Sequence, residues 1–125
     1  MTSQHNYALA IDQAANESAN MHIYTGTLQS CQKPGGVGGL NFMDRQWNRV
    51  LGVYNGSEMR IYINGVQRGT SCPASGNISP NNDGFAIGER GTADNNPFKG
   101  IMDDVRVYNR MLSSDEIKQL YQVGL

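Results

Sequence analysis

The sequence predicts an all-β fold: an antiparallel two-sheet jelly-roll sandwich with one short C-terminal helix, in a single domain over residues 1–125. Three observations carry this. Apolar and polar residues alternate with period 2 in several short segments. Two Asn-Gly pairs, Asn55-Gly56 and Asn64-Gly65, mark tight hairpin turns. One segment at the very end, Ser113–Gly124, carries helix signals. Roughly eight or nine strands and one helix must bury their apolar faces against each other, and packed antiparallel sheets do this. The 15 glycines and the Asn-rich stretches supply the connections.

The elements follow in order. Tyr7–Asp12 reads as a strand, with Tyr7, Leu9 and Ile11 alternating with Ala8 and Ala10. Gln13–Asn20 is a polar connection, and Met21–Thr25 is the return strand of a hairpin. Thr27–Ser30 is a short continuation. Lys33–Gly39, KPGGVGG, is a loop. It lacks the Gly-Lys-Ser/Thr and the following helix that a phosphate cradle needs. Gly39–Met43 is a short strand. Trp47–Tyr54 is a stronger one, with Trp47, Arg49, Leu51 and Val53 on one face, so Trp47 is expected in the core. Met59–Asn64 places Met59, Ile61 and Ile63 on one face and Arg60, Tyr62 and Asn64 on the other. Val66–Thr70 returns after Asn64-Gly65. Ser71–Asp83 is a long polar loop, Phe85–Gly88 a short strand, and Glu89–Pro97 another loop.

Phe98–Tyr108 is the last strand. Ile101, Asp103, Val105 and Val107 share one face, and Met102, Asp104, Arg106 and Tyr108 share the other. Three of the first four are aliphatic, so that face is expected to point inward. Asp103 then becomes a buried carboxylate that needs donors, a cation or a proton. The final helix is marked by an S-x-x-E capping box at Ser113 and Glu116, with Leu112 and Ile117 at the staple positions. Asp115 and Glu116 suit the positive end of the helix dipole. At about ten residues the helix is too short to stand alone and must dock.

Bulk properties exclude several functions. The net charge is −1 and 17% of residues are charged, which gives no nucleic-acid footprint. No apolar run is long enough to span a bilayer. The start, MTSQHNYALAID, lacks a secretory signal, so the chain reads as cytoplasmic or as a piece of a larger exported protein. The two cysteines, Cys31 and Cys72, lie in Gly/Pro/Ser-rich stretches without metal or redox spacing. They are either free thiols or one disulfide closing a loop of about forty residues, which would stabilise the fold by roughly 4 kcal/mol and need an oxidising compartment.

Several signatures occur together and in order across Trp47–Gly124. They are a tryptophan opening a strand (Trp47), a Y-x-N-G turn (Tyr62–Gly65) and an I-G strand end (Ile87-Gly88). A G-x-x-D-D-V-R-V-Y strand (Gly100–Tyr108) and an L-S-x-x-E-I helix start (Leu112–Ile117) complete them. This set resembles the C-terminal part of a laminin-G-like jelly roll of the concanavalin A-like lectin/glucanase superfamily. The family's domains usually begin with several strands before the Tyr7–Thr25 hairpin, whereas this chain opens almost at it. The resemblance therefore implies an N-terminally shortened version, and missing strands leave edges and apolar faces uncovered. A homo-oligomer that covers them is the expectation.

The resemblance also implies a binding role, in an extracellular or cell-surface parent protein. Glucanases of the superfamily use clustered acids on one strand, and retaining glycosidases need carboxyl groups about 5–5.5 Å apart. Here Glu17, Glu58, Glu89 and Glu116 are scattered, and Asp103 and Asp104 point to opposite faces of a strand. Catalytic residues are therefore not expected. Lectin-type jelly rolls often hold calcium, which takes six to eight oxygens. Asp103 occupies the family's acidic strand position, while its plainer role is to accept backbone N–H bonds. Asp83 and Asp94, in the oxygen-rich loops Asn81-Asn82-Asp83 and Asp94-Asn95-Asn96, are the other candidate ligands, and turn chemistry also explains them. For carbohydrate, Tyr54, Tyr62 and Tyr108 fall opposite the aliphatic stripes, with Asn95 and Asn96 as candidate polar partners. An ordinary outer sheet surface looks the same.

The function expected is a non-catalytic recognition or adhesion module for carbohydrate or a protein partner. A self-assembling structural jelly roll is the first alternative, and a vestigial glycosidase-like domain the second.

Overall fold

The computed structural model describes residues 6–12, 18–34, 46–80, 82, 84–88 and 97–123. These form seven strands and one helix: β1 (Tyr7–Asp12), β2 (Ser18–Tyr24), β3 (Leu28–Pro34), β4 (Val50–Tyr54), β5 (Glu58–Ile63), β6 (Val66–Gln67), β7 (Cys72–Pro73) and α1 (Ser114–Val123). Two antiparallel sheets result. The first has the order β1-β2-β3, and the second the order β4-β5-β6 with β7 also on β5. β6 and β7 lie one after the other along β5, opposite Tyr62–Ile63 and Glu58–Met59.

Local chemistry sets the turns. Asn64 and Gly65 both have positive φ, 52° and 80°, as a two-residue turn of the mirror-image type requires. The Asn64 side chain also accepts from the Arg49 amide at 2.9 Å, which ties the turn to the entry of β4. At the other hairpin the Asn55 side chain accepts from the Ser57 and Glu58 amides, each at 2.9 Å.

The register places two cores on the two faces of the second sheet. Met59, Ile61 and Ile63 of β5 are fully buried against Ala19, Met21, Ile23 and Cys31 of the first sheet. Full burial of one such aliphatic side chain contributes about 1.5–3 kcal/mol. On the opposite face Val53 and Tyr62 pack under Leu112 and Ile117. The molecule therefore has three layers: sheet, sheet and helix. At Gly52 the sheets meet so closely that a Cβ would lie 2.8 Å from the Met21 sulfur. The Cys31–Cys72 disulfide, with a Cα–Cα distance of 5.6 Å, joins β3 of one sheet to β7 of the other.

The helix start has the geometry that its sequence dictates. The Glu116 amide donates to the Ser113 hydroxyl at 3.2 Å, and the Ser113 amide donates to the Glu116 carboxylate at 2.8 Å. Leu112 and Ile117 are buried together, so the staple clamps the entering chain.

Several elements depart from the sequence reading. Ser18–Asn20 belong to β2, and the continuation after Gly26 is a full third strand, because every residue of β2 finds a partner there. Cys31 consequently lies inside a strand, opposite Met21. Gly39–Met43 lies outside the described residues. β4 begins at Val50, and Trp47, which precedes it, is 56% exposed and not in the core. Among the described residues, Phe85–Gly88 and Phe98–Tyr108 join neither sheet. Period-2 alternation states that a segment can be a strand, but pairing depends on a neighbour distant in sequence.

Candidate functional site

The segment from Phe98 to Met111 holds two of the candidate residues singled out by sequence, Asp103 and Tyr108, and the adjoining helix holds Glu116. Asp104 has a left-handed backbone, φ 53°, which breaks the two-face alternation of a strand at that residue. Asp103 is exposed, not buried, and its carboxylate accepts from the Asp104 amide at 2.7 Å. This is a local turn contact in the manner of aspartates generally. Asp104 is the better connected of the two. It pairs with Arg49 at 2.8 Å and with Arg106 at 2.6 Å, which ties the segment to the start of β4. The Arg49 bond, and then the Arg106 bond, hold the Asp104 carboxyl below its ordinary range.

Arg110 forms two parallel bonds to Glu116, at 3.0 and 2.7 Å. With the Ser113 amide added, these bonds lower the Glu116 pKa to about 2. Glu58 is likewise lowered, by Ser71 first and then Arg60. Each of these carboxylates is engaged by an arginine, and all three pKa values move down. A general acid of glycoside hydrolysis needs the opposite shift.

The three tyrosines do not form one platform. Tyr54 lies on the inter-sheet side of β4, and its hydroxyl donates to the Gly76 carbonyl. Tyr62 faces the helix and is only 5% exposed, so the expectation that it lines an outer surface is corrected. Its polar hydroxyl disguises a residue that the docked helix buries. Tyr108 alone is open, and it borders a groove of about 330 Å³ together with Arg106, Arg110, Glu116 and Gln119. Asn95, Asn96, Asp83 and Asp94 lie outside the described residues. Among the described residues no three His, Cys, Asp or Glu side chains gather as a metal set.

Sequence reasoning missed a run of exposed apolar side chains. Ile101, Val105 and Val107 are 81%, 52% and 61% exposed, and the stretch that carries them joins no strand ladder among the described residues. Met102 and Met111 are exposed as well. The signal was present in the alternation itself, but it was assigned to the core. No helix among the described residues is long and apolar enough to cross a membrane.

A family model of the laminin G type, described as concanavalin A-like lectin/glucanases superfamily, matches residues 1–118. The fold is similar to that of an S-layer domain-containing protein from Clostridium thermocellum (residues 221–444), with a TM-score of 0.56 at 19% identity. That match covers 97% of this chain and 65% of the other, so this chain spans less than two thirds of that solved segment. No curated protein matches the chain.

Proposed function

The chain belongs to the concanavalin A-like lectin/glucanase superfamily, and from that premise we propose that it is a non-catalytic binding module that engages a protein partner through residues 98–111. One observation carries this reading. A segment with strand alternation exposes Ile101, Val105 and Val107 and pairs with neither sheet among the described residues. Such a segment carries alternate apolar side chains along an extended run, one of the two elements of recognition by strand addition. The engaged, acid-shifted carboxylates Asp104 and Glu116 support the absence of catalysis. The disulfide, together with the S-layer context of the structural neighbour, supports an extracellular or cell-surface setting.

Carbohydrate recognition is the second reading, favoured by Tyr108 standing beside Arg106, Arg110 and Gln119 in an open groove. The test is to probe an array of immobilised peptides of alternating apolar sequence and a glycan array in parallel, each with and without calcium. Val105→Asp and Tyr108→Ala proteins are compared with the unsubstituted chain. Peptide capture lost in Val105→Asp is the expected result. Glycan capture lost in Tyr108→Ala, with no peptide capture, overturns the proposal in favour of the second reading.

A further inference from the structure

Residues 102–108 read Met-Asp-Asp-Val-Arg-Val-Tyr, and this run is complementary to its own reverse. In an antiparallel pair of two identical strands, residues directly opposite each other share a face. With the two-fold axis at Val105, Asp104 of each strand stands opposite Arg106 of the other, and Met102 stands opposite Tyr108. The charge pairs are then of opposite sign, and the Met–Tyr pairs bring sulfur to an aromatic ring. Val105 meets its own copy on the axis, and Val107 stands opposite Asp103, the one off-axis pair that is not complementary.

Neighbouring registers are worse. An axis at Asp104 sets two carboxylates opposite each other, and an axis at Arg106 sets two guanidiniums opposite each other. A shift of one step either way breaks both the Asp104–Arg106 and the Met102–Tyr108 pairs. Like charges directly opposite each other are destabilising. A closed two-fold contact of this kind uses the same patch on both partners.

From this, and resting on the proposal of strand addition above, we infer that the partner is a second copy of this chain, paired antiparallel over residues 102–108 across a two-fold axis at Val105. Asp104 and Arg106 already touch at 2.6 Å within one chain, and Arg49 completes the cluster. Pairing joins two such clusters and brings the exposed Val105 side chains of the two copies together. Asp104 moves from the left-handed to the β region, a change that aspartate makes at small cost.

Light scattering on the intact, disulfide-bonded chain tests the state directly. The mass of two chains at tens of micromolar is expected. Val105→Lys and Val105→Asp, each alone, place like charges on the axis and give monomers. Mixing the two restores a dimer containing one of each. Because Val105 is half-exposed, both variants retain the folded spectrum of the parent chain. In a second measurement, Val105→Cys cross-links to its own copy under mild oxidation, since facing residues sit within disulfide reach. Ile101→Cys does not, because its counterpart lies many residues away along the pair. A monomer at all concentrations, or a dimer indifferent to Val105→Asp, overturns the inference. If the chain is monomeric yet captures peptides through Val105, strand addition stands and only the second copy falls. If neither occurs, both fall.

Discussion

Glu116 serves two structures at once. Its carboxylate caps the Ser113 amide and receives the forked guanidinium of Arg110. Its folded pKa of about 2 lies below the ordinary 4.5, so the folded state holds the proton less tightly than the unfolded chain. The resulting stability is fully present above about pH 4.5 and declines as pH falls toward 2. Urea unfolding midpoints recorded between pH 7 and pH 2 are expected to drop across that window, and Glu116→Gln should flatten the drop. Gly52 is a different kind of constraint, because the Met21 sulfur occupies the space that a side chain would need. Gly52→Val should cost about 1–3 kcal/mol in denaturant unfolding, the usual range for overpacking. The cap at Ser113 was legible from four letters, since capping chemistry is local. The contact at Gly52 was not, because Met21 approaches it from the other sheet.

Among the elements, β5 and α1 were the most readable. Met59, Ile61 and Ile63 alternate cleanly and are buried as the pattern dictates. Tyr62 shows the limit of such reading. Alternation put it on the face opposite the aliphatic stripe, which is correct, but not that the helix covers that face. The segment Phe98–Tyr108 shows the same limit from the other side: it has the alternation of a strand and no partner strand among the described residues. Two substitutions separate these cases. Ser113→Ala removes a cap that the fold uses and should lower stability by about 1 kcal/mol. Val107→Asp alters a residue that stands outside both cores and should leave the stability of dilute protein within about 0.5 kcal/mol. A loss of several kcal/mol at Val107 would mean that the residue is packed within the chain.

At the scale of the molecule, three layers are held by two cores and one cross-link. The disulfide joins the sheets across a separation of 41 residues. Replacing both Cys31 and Cys72 with serine should cost roughly 4 kcal/mol by the chain-entropy estimate, read as a lower denaturation midpoint that reducing agent no longer changes. The sequence left the thiols undecided between free and bonded, because pairing of two cysteines depends on where β3 and β7 come to lie. It did carry the class of fold, since alternation, Asn-Gly turns and a single capped helix all point the same way. What it placed in the core, the face of Ile101, Asp103, Val105 and Val107, the fold instead leaves outward, and the proposed binding role rests on that placement. Segment-resolved amide hydrogen exchange, run on dilute and concentrated protein, tests it most directly. The account predicts rapid exchange over residues 101–108 in dilute solution and marked protection once the strand is paired at high concentration, while β2 and β5 stay protected throughout. Strong protection of residues 101–108 already in the dilute monomer would contradict it.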